Sequence, residues 1–174
     1  MDRKIRGSVI NGYLGYVKKK WGKEGLDKCL RDIGLEGETI KEGHYYQDEI
    51  SGNILRWIHR EKGAEAVVDS GRFVTQNLGI LAWLVRFTTM QSLAEKLPKN
   101  FSEVYAFGRC SVDTSDPKRI VLKLKDTGYY EEACLAWQGV CEAALIMTKT
   151  KGRVEHTRCE QKGDNICEFV IHLE

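Results

Sequence analysis

Residues 113–125, DTSDPKRIVLKLK, decide the fold class. Ile120, Leu122 and Leu124 alternate with Val121, Lys123 and Lys125, the two-residue period of a strand with one covered face. The DTSDPK ahead of them reads as a turn, so Val104 to Asp113 and Arg119 to Lys125 are expected to form a hairpin. Working toward the C-terminus, Tyr130 to Lys149 reads as a helix dense in Ala and other small residues. Arg153 to Glu160 and Ile166 to Leu173 then make a second hairpin. Strand, strand, helix, strand, strand implies one helix packed on a four-stranded antiparallel sheet, an α+β arrangement.

Toward the N-terminus the period becomes helical. Val9, Tyr13, Leu14, Val17 and Trp21 share one helical face, and a second short helix is expected from about Gly25 to Ile33, with Gly34 ending it. GLEGETIKEGHYYQ has no sustained period and reads as a loop. Asp48 is placed to cap a helix whose stripe is Ile50, Ile54, Trp57 and Ile58, ending near Gly63. Ala64 to Asn77 and Leu78 to Leu97 are expected to be helical, with Pro98 stopping the last.

At 174 residues the chain is expected to fold as a single ligand-binding domain, residues 1–101 giving the helical part and 102–174 the sheet part. A formal net charge of +2 gives no global field for nucleic acid, although Met1 to Arg31 holds nine Lys or Arg against Asp2, Glu24 and Asp27. The basic start lacks a continuous apolar run and a small-residue cleavage site, so a mature N-terminus is expected. The most apolar window, Leu78 to Met90, contains Arg86 and is too short to span a membrane. These features predict a cytoplasmic protein, in which the six cysteines are reduced thiols or metal ligands rather than a disulfide framework.

Cys159 and Cys167 flank the polar turn of the second hairpin. A three- or five-residue loop would set them opposite each other, about 5 Å apart at Cβ, whereas a two-residue Gly163-Asp164 turn would send them to opposite faces. His156 lies three residues before Cys159, and the preceding helix offers Cys134 or Cys141. Those two share a face but stand about 10.5 Å apart along the axis, so one of them, not both, could complete a tetrahedral Cys₃His set. Buried core cysteines and a metal clip are both open on spacing alone.

The stretches CLAWQGVCEAAL and VEHTRCEQKGDNICEFVI resemble the 4-vinyl reductase-type domain, part of a superfamily that also holds the haem-nitric-oxide-binding (H-NOX) sensors and certain Golgi-transport (TRAPP) components. GSVINGYLGYVKKKWGKEGLDKCLRDIGL is similar to the opening of an H-NOX domain by pattern. Aromatic-sensing members carry a zinc site patterned C-x₄-G, then E-x₂-C-x₇-C. Cys134 and Gly139 match the first part, Cys159 and Cys167 the last, and His156 stands where that pattern has Glu. The resemblance thus implies a structural zinc held by Cys134, His156, Cys159 and Cys167, with Cys141 a core thiol.

The same resemblance implies an apolar cavity for a hydrophobic small molecule between helices and sheet, for which Phe73, Trp83, Phe87 and Met90 are the candidate lining residues. Haem is not expected: His44, His59, His156 and His172 all lie outside Leu78 to Phe101, and no Tyr-x-Ser-x-Arg run occurs. Nor is a nucleotide loop, nucleophile elbow or paired-histidine motif present, and the reading is not of an enzyme. The function expected is that of a sensory or regulatory domain that signals through a homodimer or a separate partner. The alternatives are a non-sensing scaffold subunit and an accessory protein of tetrapyrrole metabolism.

Overall fold

The computed structural model describes residues 2–77, 88–127 and 130–174. A short strand β1 (Lys4–Arg6) leads directly into helix α1 (Gly7–Asp32), which is one helix interrupted at Gly22, where φ is +70°. The two helices expected around Trp21 and Gly25 are therefore the arms of this broken α1. The loop of residues 33–44 follows, and β2 (Tyr45–Gln47) pairs antiparallel with β1. Neither three-residue strand shows in the sequence, because no period can be read over three positions. The β1–β2 ribbon adds strand to a part expected to hold only helices and a loop, β2 falling at the end of that loop.

Helices α2 (Asp48–Lys62) and α3 (Ala64–Gln76) are separated by Gly63, whose φ of +79° only glycine adopts without strain. Ile54, Leu55, Trp57 and Ile58 of α2 are buried against Ile10, Tyr13, Tyr16 and Val17 of α1 and Val67 of α3, forming the first core. Asp48 does not cap α2 as expected. It is the first residue inside the helix, Gln47 takes the cap position, and the Asp48 carboxylate turns inward.

Helix α4 (Met90–Val104) is capped by Thr89, whose side-chain oxygen accepts from the Ser92 backbone N–H at 3.1 Å. Pro98 lies inside this helix instead of ending it. Burial of Met90, Ala94 and Phe101 on one face holds α4 together across the missing backbone donor. The strand expected from Val104 accordingly starts later. β3 (Arg109–Asp116) pairs with β4 (Arg119–Lys125), and β4 pairs in turn with β6 (Cys167–Leu173), which pairs with β5 (Gly152–Arg158). The sheet order β3-β4-β6-β5 is antiparallel throughout, so the expected α+β class and four-stranded sheet hold.

Helix α5 (Glu131–Met147) lies between the two cores, and this explains why small and apolar residues surround it. Toward the sheet, Cys134, Cys141 and Leu145 pack with Leu122, Leu124, Phe169 and Ile171. Toward α3 the backbones almost touch. A Cβ on Gly139 would fall 2.0 Å from the Val68 carbonyl oxygen, and one on Gly71 2.0 Å from that of Ala136.

Candidate metal centre

Three elements deliver the four side chains whose spacing matched a zinc pattern. Cys134 comes from the first turn of α5, His156 from β5, Cys159 from the residue after β5, and Cys167 from the start of β6. Their donor atoms all lie within 4.8 Å of one another. Cys134 Sγ is 3.7 Å from Cys159 Sγ and 3.6 Å from Cys167 Sγ. A tetrahedron with metal–sulfur bonds of about 2.3 Å has sulfur–sulfur edges of about 3.8 Å.

The local backbone shows why these residues converge. His156 and Cys159 are three apart, and in a regular strand an odd separation sends side chains to opposite faces. The pairing of β5 with β6 shifts by one residue between His156↔Phe169 and Arg158↔Glu168, a bulge that returns Cys159 to the inner face. The turn then closes with a 3₁₀ turn at Glu160–Lys162 and Gly163 at φ +95°. Asp164 Oδ2 accepts from the Cys159 N–H at 2.8 Å, and the Glu160 N–H donates to Cys167 Sγ at 3.4 Å. These two supports carry no sequence signature, since Asp and Glu in a polar turn are ordinary surface residues.

Electrostatics distinguish the thiols. The Cys134 thiol is pushed strongly up, first by its hydrogen bond to Cys167 and then by burial. The Cys167 thiol is pulled down, first by that same hydrogen bond and also by the Glu160 backbone N–H, against the cost of burial and the nearby Glu160 carboxylate. The hydrogen bond between them thus favours the proton on Cys134 over Cys167. His156 stacks on Phe169 at 4.4 Å between ring centroids and 9° between planes, and its Nε2 is buried without a hydrogen-bond partner. A buried nitrogen in that condition is costly unless an ion or water completes it. Three sulfurs, one imidazole and tetrahedral edges fit a zinc ion.

Cys141 faces elsewhere. Its thiol, pushed up to about 12 by burial, lies on the wall of an apolar cavity of about 180 Å³ with Met90, Ala94, Leu122, Ala144 and Ile171. Of the four residues expected to line a cavity, Met90 does so. Phe73 does not: it packs in the first core, 5.7 Å from the Tyr16 ring and under the Lys19 ammonium. Trp83 and Phe87 lie outside the described residues. Among the described residues the cavity walls come from Thr75 of α3, from α4 and α5, and from the sheet, so part of the lining is strand, which a helical stripe does not reveal.

No protein-family model and no curated protein sequence matches the chain. Among solved structures it is similar to an H-NOX protein from S. oneidensis in the Fe(II)NO ligation state, with a TM-score of 0.81 and 16% identity over 98% of this chain and 99% of that one. An oxygen-binding H-NOX domain related to soluble guanylate cyclases, in its oxygen complex, matches with a TM-score of 0.77 and 13% identity over 98% and 95%. A structure concerned with modulating heme redox potential through porphyrin distortion matches with the same figures. At such identity the likeness is one of fold, and it is the H-NOX fold.

That likeness corrects the expectation that haem is unlikely. The chain has the fold of structures described by their Fe(II) states and their heme, whereas the expectation rested only on a missing histidine and a missing short pattern. Iron in haem is also held by Met, Cys or Tyr, so a histidine count does not decide the matter. On the cavity wall the described residues place the thioethers of Met90 and Met147 and the thiol of Cys141, of which the protonated Cys141 is the poorer donor.

Proposed function

We propose that this chain is a small-molecule-sensing domain in which a zinc ion held by Cys134, His156, Cys159 and Cys167 ties α5 to the terminal hairpin. The observation that carries the reading is that α5 presents Cys134 to the metal cluster and Cys141 and Ala144 to the apolar cavity. One helix thus feels both the ion and the contents of the cavity. The 4-vinyl reductase-type motif at Cys134, Cys159 and Cys167 supports the zinc assignment, with His156 in the acidic residue's place. Zinc in such a closed set of four ligands is structural: it fixes geometry and leaves no position open for substrate.

The ligand is a compact apolar molecule. A dry cavity of about 150 Å³ in another protein takes benzene, and this one is of that order. Haem is a second reading, favoured by the fold likeness, with Met90 and Met147 the described thioether donors on the wall. A homodimer or a separate partner receives the signal, since what the cavity wall can report is a change in packing between α4, α5 and the sheet.

The test is elemental analysis and a visible spectrum of protein purified without a histidine tag. One zinc per chain supports the metal assignment, and the Soret region decides the cavity: a stoichiometric band assigns it to haem, and its absence leaves it to a small apolar ligand. Absence of zinc after purification in zinc-supplemented medium overturns the metal assignment. A size-exclusion profile of the same sample reads the dimer directly.

A further inference from the structure

Glu160 follows the ligand Cys159 directly, and its carboxylate lies at the edge of the cluster, with Oε2 3.9 Å from Cys167 Sγ. The same carboxylate accepts from two consecutive backbone N–H groups of the β4–α5 connection, Asp126 at 2.7 Å through Oε1 and Thr127 at 3.0 Å through Oε2. Asp126 has φ +58°, a left-handed conformation uncommon outside glycine, though Asp is among the residues that tolerate it. At the same time the Glu160 backbone N–H bonds Cys167 Sγ. A single residue therefore grips a metal-site sulfur with its main chain and this loop with its side chain.

That loop leads within a few residues to Tyr130, at the start of α5. The Tyr130 hydroxyl donates to the Asp48 carboxylate, 3.2 Å from Oδ1 and 3.3 Å from Oδ2, and lies 3.2 Å from Ser51 Oγ. Ser51 itself donates to Asp48 Oδ1 at 2.9 Å. Asp48 and Ser51 are both buried, at 3% and 2% exposure, in the first turn of α2. Thr127 and Tyr130 line one small cavity together with Asp48, Ser51 and Tyr13. Charge-assisted hydrogen bonds join the hairpin to the connection at one end and the connection to the helical core at the other.

We infer that Glu160 is a latch through which the terminal metal hairpin holds Asp126 and Thr127 and, across the small cavity that Thr127 shares with Tyr130, Asp48 and Ser51, the junction with the N-terminal helices. The inference rests on the zinc reading above. It gives the metal a role beyond clipping α5: the ion sets the position of Cys159 and Cys167, Glu160 passes that position to the Asp126 and Thr127 amides, and Tyr130 delivers it to α2. The α2 core and the sheet core are then coupled around α5 as well as through it.

The test is amide hydrogen exchange on zinc-loaded wild type and Glu160→Ala, with elemental analysis of both samples. Glu160→Ala removes the carboxylate and leaves the backbone bond to Cys167. The expected result is zinc retained at one per chain, exchange at Asp126 and Thr127 faster by about tenfold or more, and faster exchange extending to Ala133 and Ser51. Unchanged exchange, or a change confined to residues 126 and 127 with Ser51 unaffected, overturns the latch. A wild type without zinc overturns the zinc reading and the inference together, and elemental analysis separates that outcome from the other two. Should the Ala variant fold poorly, Glu160→Gln, which keeps one acceptor, is expected to show the same pattern at smaller amplitude, and no change there overturns the proposal equally.

Discussion

At the residue scale the proposed zinc site depends on three thiols and one imidazole whose donor atoms lie within 4.8 Å of one another. Cys159→Ser is expected to reduce bound zinc below about a tenth of the wild-type content and to cost about 2–3 kcal/mol of stability, measured by urea denaturation. Cys141→Ser, also buried but outside the cluster, serves as control and should keep its zinc. Equal losses in the two variants would return Cys159 to the rank of an ordinary core thiol. Asp48 gives a second test, of sign as well as size. Burial raises its carboxyl above the ordinary 3.8, against the hydrogen bonds from Ser51 and Tyr130 and the more distant charges of Arg3 and Arg56. The folded state thus holds this proton more tightly than the unfolded chain does. The associated stability is fully present below about pH 3.8 and is lost as pH rises through the folded-state value. Asp48→Asn cannot ionise, so its stability relative to wild type should improve from about pH 4 to about pH 7 in paired denaturation curves. A relative decline over that interval would show the carboxylate to be the form the fold prefers.

Among the elements, α3 and α5 are the most constrained pair. Gly71 and Gly139 admit a backbone-to-backbone approach that a single methyl would obstruct. Gly139→Ala should therefore destabilise toward the upper end of the ~1–3 kcal/mol typical of overpacking, because the obstacle is a main-chain carbonyl that cannot swing aside. Gly37→Ala, at φ +78° with open space around it, supplies the comparison: its cost is conformational alone and should be smaller. The sequence showed α5 as rich in small residues but not which helix they admitted. Pro98 taught the opposite lesson. Local rules end a helix there, and the burial of Met90, Ala94 and Phe101 on one face outweighs them. β1 and β2 were invisible for a different reason, since strands of three residues are defined by their partners.

For the whole molecule, the cavity and the metal cluster share one helix, so ligand and ion should each stabilise the same folding unit. A benzene-sized apolar ligand at about 100 times its dissociation constant should add about 2.7 kcal/mol to the unfolding free energy. Ala144→Leu, which fills the cavity from α5, should abolish that gain while leaving the zinc content at the wild-type level. A gain that persists in the filled variant would place the ligand elsewhere. Among the described residues no helix is long and apolar enough to cross a membrane.

The sequence by itself determined the α+β class and the four strands of the C-terminal sheet, because periodicity is a local property written in the chain; cysteine spacing left Cys134 and Cys141 both open, and the resemblance named Cys134. Tertiary structure alone decided the rest. The bulge that brings His156 and Cys159 to one face is a matter of how β5 pairs with β6, and the supports at Glu160 and Asp164 are hydrogen bonds made by ordinary polar residues of a turn. The cavity wall, shared by α4, α5 and the sheet, exists only once distant segments pack. Met90 lies on the cavity wall and Phe73 in the first core, since a side chain's face is fixed by the chain but its neighbour is fixed by the fold.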